Sequence, residues 1–134
     1  MDDGRAGEFP LNSEHDIVLS RQAVRRITKE LGFSLVDQTK MVTAASELAR
    51  NAFIYGGGGR LTWQVVNKGP RVGLRLTFED HGPGIEDLEL AMTEGWTSGK
   101  GLGLGLTGAR RLVNEFEISA PTGIGTQVTI TRWK

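Results

Sequence analysis

Apolar positions recur along this chain with two different periods, and the change of period separates predicted helices from predicted strands. Ile17, Val24, Ile27 and Leu31 follow helical spacing behind Ser13-Glu14-His15-Asp16, which has the form of a capping box, and Gly32 offers a stop. The pattern then repeats. Ser34-Leu35-Val36-Asp37 is a second capping box, and Met41, Val42, Ala45, Leu48, Ala49, Ala52 and Phe53 make one broad apolar stripe that should end near Tyr55, at Gly56-Gly57-Gly58-Gly59. From Leu61 the period falls to two. Leu61, Trp63 and Val65 alternate with polar residues, Asn67-Lys68-Gly69-Pro70 turns the chain, and Val72, Leu74, Leu76 and Phe78 form the second arm of a hairpin.

Residues 85 to 100 hold a short helix and then a small-residue loop, Thr97-Ser98-Gly99-Lys100. A third main helix follows, with Leu106, Ala109, Leu112 and Val113 inward. Two strands finish the chain, Phe116 to Ser119 and Thr126 to Arg132, separated by a turn containing Pro121-Thr122-Gly123. Residues 1–7 are polar and glycine-containing and are expected to be disordered, with a short strand over Glu8 to Asn12. This order predicts an α/β fold: a two-layer α/β sandwich with a mixed, mostly antiparallel sheet of four to five strands and three main helices on one face. A doubly wound sheet is disfavoured, because short turns join most consecutive strands.

Composition narrows the function classes. The 134 residues suit a single domain over 1–134, and sixteen basic against sixteen acidic residues leave no electrostatic footprint for nucleic acid or an anionic membrane. There is no cysteine, no apolar run of membrane-spanning length and no segment resembling a signal peptide, so a cytoplasmic location is expected. With no thiolate and only His15 and His81, any metal must be held by oxygen.

Three blocks carry candidate chemistry. Asp80-His81-Gly82-Pro83-Gly84 ends the alternating strand, where the Asp80 carboxylate can accept from an exocyclic amine such as that of adenine, and Gly82 and Gly84 let a flat ring lie close to the backbone. Gly101-Leu102-Gly103-Leu104-Gly105 precedes or opens the third helix. Its glycines can turn amides toward phosphate oxygens, and Leu102, Leu104 and Leu106 suit a segment that packs when closed over a ligand. Gly103 to Gly108 also matches G-x-G-x-x-G formally, but no strand runs into it, and no Lys-Ser/Thr pair completes a P-loop. On the second helix Glu47 and Asn51 are one turn apart, away from the main stripe, on a side shared with Lys40, Thr43 and Ala44. An Asn amide oxygen is a suitable hard ligand for Mg²⁺, and a Glu carboxylate can take a proton from an attacking hydroxyl or water.

Ser46-Glu47-Leu48-Ala49-Arg50-Asn51, Asp80-His81-Gly82-Pro83-Gly84 and Gly101-Leu102-Gly103-Leu104-Gly105-Leu106 resemble the N, G1 and G2 boxes of the GHKL ATPases, and Gly125-Thr126 resembles the remaining motif of that superfamily. The wording of the first block most resembles the RsbT-type serine/threonine switch kinases of the bacterial stressosome. That resemblance implies ATP and Mg²⁺ as cofactors, Asn51 as the metal ligand, Glu47 as general base and Asp80 as the adenine-recognising residue, with Gly82 and Gly84 shaping the base pocket. It implies further that Gly101, Gly103 and Gly105 border the triphosphate, with Leu102 and Leu104 in the same segment, and that Thr126 supports adenine. Implied partners are STAS-domain scaffold or antagonist proteins of the RsbS and RsbR kind, and a downstream phosphatase or other output protein. A second reading of the same site is an anti-sigma factor resembling SpoIIAB and RsbW, which captures a sigma factor.

Overall fold

The computed structural model describes residues 2–93 and 102–134. Its elements are β1 (Asp2–Leu11), α1 (Glu14–Glu30), α2 (Leu35–Ile54), β2 (Gly59–Lys68), β3 (Arg71–Asp80), α3 (Leu88–Ala91), α4 (Leu102–Arg111), β4 (Glu115–Ser119) and β5 (Thr126–Trp133). Both long helices start where the capping boxes place them. The Ser13 hydroxyl accepts from the Asp16 amide at 3.0 Å and the Ser34 hydroxyl from the Asp37 amide at 3.1 Å, each satisfying one amide that the helix cannot.

The sheet has five strands in the order β1-β2-β3-β5-β4. Every neighbouring pair is antiparallel, so the sheet is antiparallel throughout rather than mixed. One step departs from chain order. The chain leaves β3, passes through α3 and α4, and enters β4 at the edge, after which β5 slots between β3 and β4. This brings the start of β5 beside the end of β3, with Thr126 opposite Asp80.

Residues 2–7 are not disordered as the composition suggested. Asp2–Leu11 pairs along β2, with a register irregularity between Asp2 and Ala6 where Gly4 takes a φ of 88°. The ladder is made by backbone groups, so a polar segment can complete it wherever a neighbouring strand offers an open edge. A local contact adds to this: a Cβ at Gly7 would stand 2.6 Å from Nε1 of Trp63, so Gly7 is where the indole lies on β1.

One apolar cluster joins α1, α2, α4 and the sheet, with Leu11, Ile17, Met41, Leu48, Leu76 and Ile130 among its fully buried members. α2 crosses β1, β2, β3 and β5, while α1 packs on one of its sides and α4 on another. Packing around α2 changes one sequence-based expectation. Ala44, assigned to the polar side of α2, is fully buried in a helix flanked by α1, α4 and the sheet.

Arg132 ties three elements together. Its Nη2 donates to Asp37 Oδ1 at 2.6 Å in the first turn of α2, and its Nη1 donates to the Leu112 carbonyl at 2.8 Å just beyond α4. The hydrogen bond from Arg132 holds the Asp37 carboxyl below its ordinary value of 3.8, outweighing partial burial, and Ser34 and Lys40 act in the same direction. Arg132→Met is expected to cost about 1.5–3 kcal/mol, the worth of a charge-assisted hydrogen bond. Because the folded pKa of Asp37 lies below the unfolded one, this contribution is complete above pH 3.8 and is lost as pH falls through the folded pKa. Thermal melts at neutral pH should therefore separate the variant from the parent, and the gap should narrow as pH falls below 3.8, leaving the part that Arg132 contributes through the Leu112 carbonyl.

Candidate functional site

The C-terminal turns of α2, the ends of β3 and β5, the segment after β3 and the first half of α4 enclose a cavity of about 420 Å³. Its walls are apolar, formed by Leu48, Ala52, Phe78, Ile85, Leu106 and Val128. Asn51, Tyr55, Asp80 and Thr126 supply its polar side chains. Asp80 and Thr126 stand at one end and Asn51 lines another part of the wall, an arrangement suited to a ligand with a flat apolar body and a polar tail.

Asp80 is the last residue of β3 and is half-buried. Its Oδ1 accepts two backbone amides, from Gly82 at 2.9 Å and Thr126 at 3.2 Å. With one oxygen committed to the protein, Oδ2 remains as an acceptor for a ligand donor. Burial pushes the carboxyl above its ordinary value, although the amides of Gly82 and Thr126 and the nearby His81 oppose the shift.

The two candidate glycines after Asp80 act through close backbone approach. Gly84 has a φ of 74°, and a Cβ there would stand 2.4 Å from the Pro121 carbonyl oxygen in the β4–β5 turn. A side chain at this position would strain the backbone and push away the turn that leads into Thr126. Gly82 does not line the cavity. A Cβ on it would meet Cα of Gly56 at 2.6 Å, so its place is against the end of α2.

On α2, Glu47 is exposed and Asn51 half-buried. The structure supplies the neighbour that the sequence does not show: a Cβ on Gly105 would lie 3.0 Å from Asn51 Nδ2 and 3.4 Å from Glu47 Oε2. α4 thus comes down on both side chains at a residue that has no side chain of its own. Gly103 and Gly105, expected in or near a phosphate loop, are within α4, together with Leu102 and Leu104. Leu102, Gly103 and Leu104 are the first three residues of that helix, whose amides have no intrahelical acceptor. Gly101 lies outside the described residues, as do Trp96 and Lys100.

Asn51 Nδ2 is buried and has no hydrogen-bond partner among the described residues. A buried amide left unpaired is costly, and its orientation is interchangeable with one that puts Oδ1 in the same place. The site therefore suits either an anionic oxygen accepting from Nδ2 or a hard cation bound by Oδ1. Both are present in a magnesium nucleotide, so the donor set fits that ligand.

Gly56 escapes sequence reasoning, and Gly125, known there only as part of the fourth motif, gains its physical role from the structure. Gly56 reads only as a helix stop, yet a Cβ on it would overlap the Asp80 carboxylate, 2.2 Å from Cγ. Gly125 brings its Cα beside the Asp80 carbonyl, where a Cβ would stand 2.1 Å from the oxygen, and so delivers the Thr126 amide to the carboxylate. The signal for both is present as glycine in the sequence, but their partner is a residue at least 20 positions away.

Residues 36–134 match the family described as histidine kinase-, DNA gyrase B- and HSP90-like ATPases. The chain belongs to this ATPase family. The serine/threonine-protein kinase RsbT of Bacillus subtilis (strain 168) is 43% identical over 121 residues, covering 90% of this chain and 91% of that protein, which puts the chain in the RsbT-type branch of the family. An anti-sigma F factor of Clostridium novyi (strain NT) is 28% identical over 134 aligned residues, covering 93% and 90%. Among solved structures, the RsbU and RsbW domains of a Mycobacterium tuberculosis protein align with a TM-score of 0.62 at 21% identity. That alignment covers 96% of this chain and 31% of the longer one, and it bears on the fold of this ATPase domain alone.

Proposed function

We propose that this chain is an ATP- and Mg²⁺-dependent serine/threonine protein kinase of a partner-switching system, acting on a STAS-domain scaffold or antagonist and, once released, on a downstream output protein. The observation that carries the reading is the meeting of Glu47, Asn51 and Gly105 beside a cavity whose other end is Asp80 and Thr126. In this reading Asp80 Oδ2 accepts from the adenine amino group, the apolar walls hold the ring, and the first turn of α4 offers its amides to the triphosphate. Bound through Asn51, Mg²⁺ would neutralise phosphate charge. Glu47 takes the proton as a Ser or Thr hydroxyl oxygen of the partner bonds to the γ-phosphorus and the bond to the β-phosphate oxygen breaks, leaving phosphoprotein and ADP. The 43% identity to RsbT supports the choice of Ser or Thr as acceptor. No helix among the described residues is long and apolar enough to cross a membrane, consistent with action on soluble partners in the cytoplasm.

The anti-sigma F likeness gives a second reading, in which the nucleotide controls capture of a sigma factor. One assay separates the two. The purified chain is mixed with γ-labelled ATP and an RsbS-like STAS protein, with Mg²⁺ or with a chelator, and in parallel with a sigma factor on a sizing column. Mg²⁺-dependent phosphoserine or phosphothreonine on the STAS protein is the expected outcome. Capture of the sigma factor without labelling of the STAS protein would favour the anti-sigma reading, and no nucleotide binding at millimolar concentration would overturn both.

A further inference from the structure

The exposed side of α2 continues past Glu47 toward the start of the helix, and its composition there is unusual for a solvated face. Eleven residues correspond to about 20° of rotation and about 16 Å of rise, so Val36 lies almost directly in line with Glu47. Val36, Lys40, Thr43, Glu47 and Arg50 form this stripe, all exposed or half-exposed. At its far end Val36 is 63% exposed and its neighbour Leu35 is 72% exposed. Neither contributes to the apolar core. A β-branched residue and a leucine left in water in the first turn of a helix do nothing for the fold that a polar residue would not do better.

Charge distinguishes this region from the rest of the chain. The second half of α1, packed alongside, carries Arg21, Arg25, Arg26 and Lys29 against the single acid Glu30. Arg25 reaches across to α2, with Nη1 3.4 Å from Thr39 Oγ1, and so borders the stripe directly. Lys40 lies within it, and the one acid of the first α2 turn, Asp37, is neutralised by Arg132. The chain as a whole has no net charge. Segments 79–94 hold the balance, with six acidic residues and no Lys or Arg. Arg25 and Lys40 therefore border the apolar pair, with Arg21, Arg26 and Lys29 on the same stretch of α1.

We propose that Leu35 and Val36, flanked by Arg25, Lys29 and Lys40, form the docking site for the partner protein that presents the hydroxyl to Glu47. The partner chemistry that fits is a protein surface with an apolar residue about 16 Å from the target Ser or Thr and acidic side chains around it. Anchoring at a distance explains how an exposed carboxylate such as Glu47 acts on one hydroxyl and not on others. The apolar contact fixes the register along α2, and the cations select the sign of the surface that lies on it. This inference rests on the kinase reading for its direction, but the docking itself is readable without transfer.

The test uses the full chain with the RsbS-like STAS protein as probe. Val36→Glu is chosen because an acidic residue in the first turn favours the helix, so the fold is retained while the apolar contact is lost and a negative charge is set among the cations. Lys40→Glu reverses the charge one turn further on. Two quantities are read for each variant: the KM for the STAS protein in the labelling assay, and its Kd by calorimetry without nucleotide in the Glu47→Ala background, where transfer is strongly slowed. Mg²⁺-ATP affinity serves as the control. The expected result is a rise of at least about tenfold in both KM and Kd for each variant, the loss produced by about 1.4 kcal/mol, with ATP affinity unchanged. A Kd for Val36→Glu equal to that of the parent would overturn the proposal. Should the parent transfer no phosphate yet bind the STAS protein, with Val36→Glu weakening that binding, the docking site stands and the kinase reading falls. A parent that binds ATP but no STAS protein removes the docking proposal.

Discussion

Replacing Glu47 by Ala is expected to lower phosphoryl transfer by about 10²–10⁴-fold, the usual contribution of a positioned general base, while leaving ATP binding intact. The split follows from where the side chain stands. Glu47 is exposed and is not part of the cavity wall, whereas Asn51, one turn later, is. Its Oε2 faces the first turn of α4, 3.4 Å from the position a Gly105 Cβ would take, at the mouth of the site where the partner hydroxyl must enter. Removing a carboxylate from beside bound phosphates also relieves like-charge repulsion, so ATP affinity should stay level or rise slightly. Glu47→Gln is the informative companion. It keeps the size and hydrogen-bonding reach of the side chain but cannot take a proton, and should lose transfer to the same extent as Ala. Single-turnover labelling beside calorimetric titration of ATP reads both quantities. Equal loss of binding and transfer would place Glu47 in nucleotide recognition, and transfer surviving in the Gln variant would remove its role as base.

The parts of this site that are legible in the sequence are those whose chemistry is local. Ser13 and Ser34 cap amides three residues away, and Glu47 and Asn51 are one helical turn apart, so their juxtaposition needs no knowledge of the fold. Asp80 is legible for a related reason, since its first partner is the amide of Gly82, two residues on. What the sequence leaves hidden depends on contacts between distant segments. Ala44 reads as polar-side because α2 alone presents it there, and only the packing of other elements around α2 buries it. Gly56 reads as a helix stop until β2 pairs with β3, setting Gly59 opposite Asp80 and the Asp80 carboxylate against Gly56. Leu48, Phe78 and Val128 line the cavity but carry the same signal as any core residue. The placement of β5 between β3 and β4 is likewise non-local, yet it is what sets Thr126 opposite Asp80. Residues 2–7 are the case in which composition misleads, because strand pairing along an open edge is satisfied by backbone groups whatever the side chains.

Asp80→Asn is expected to uncouple stability from function. In the parent, Oδ1 holds the amides of Gly82 and Thr126 while Oδ2 is left to accept from a ligand. An asparagine can keep the two amide bonds through its carbonyl oxygen, which forces its NH₂ into the place of Oδ2. There it would confront the adenine amino group donor to donor. Loss of a hydrogen bond to a charged acceptor costs about 1.5–3 kcal/mol, or roughly 10- to 150-fold in the Kd for ATP. The fold should not suffer with it. Burial raises the Asp80 carboxyl above 3.8, so the ionised form is the less favoured one in the folded state and detracts from stability at neutral pH. Stability lost to that ionisation returns as pH falls through the raised folded pKa toward 3.8. An asparagine does not titrate, so the variant should melt at or above the parent near pH 7, with the difference vanishing at acidic pH. Base preference supplies a further readout, because guanine carries a carbonyl oxygen where adenine carries its amine. The carboxylate repels that oxygen and the asparagine NH₂ can donate to it, so the preference for ATP over GTP should narrow or reverse. Thermal melts across pH, with ATP, with GTP and without nucleotide, test all three consequences on one protein. A variant that lost stability and nucleotide affinity together would mean that Asp80 holds the β3 end in place rather than reading the base.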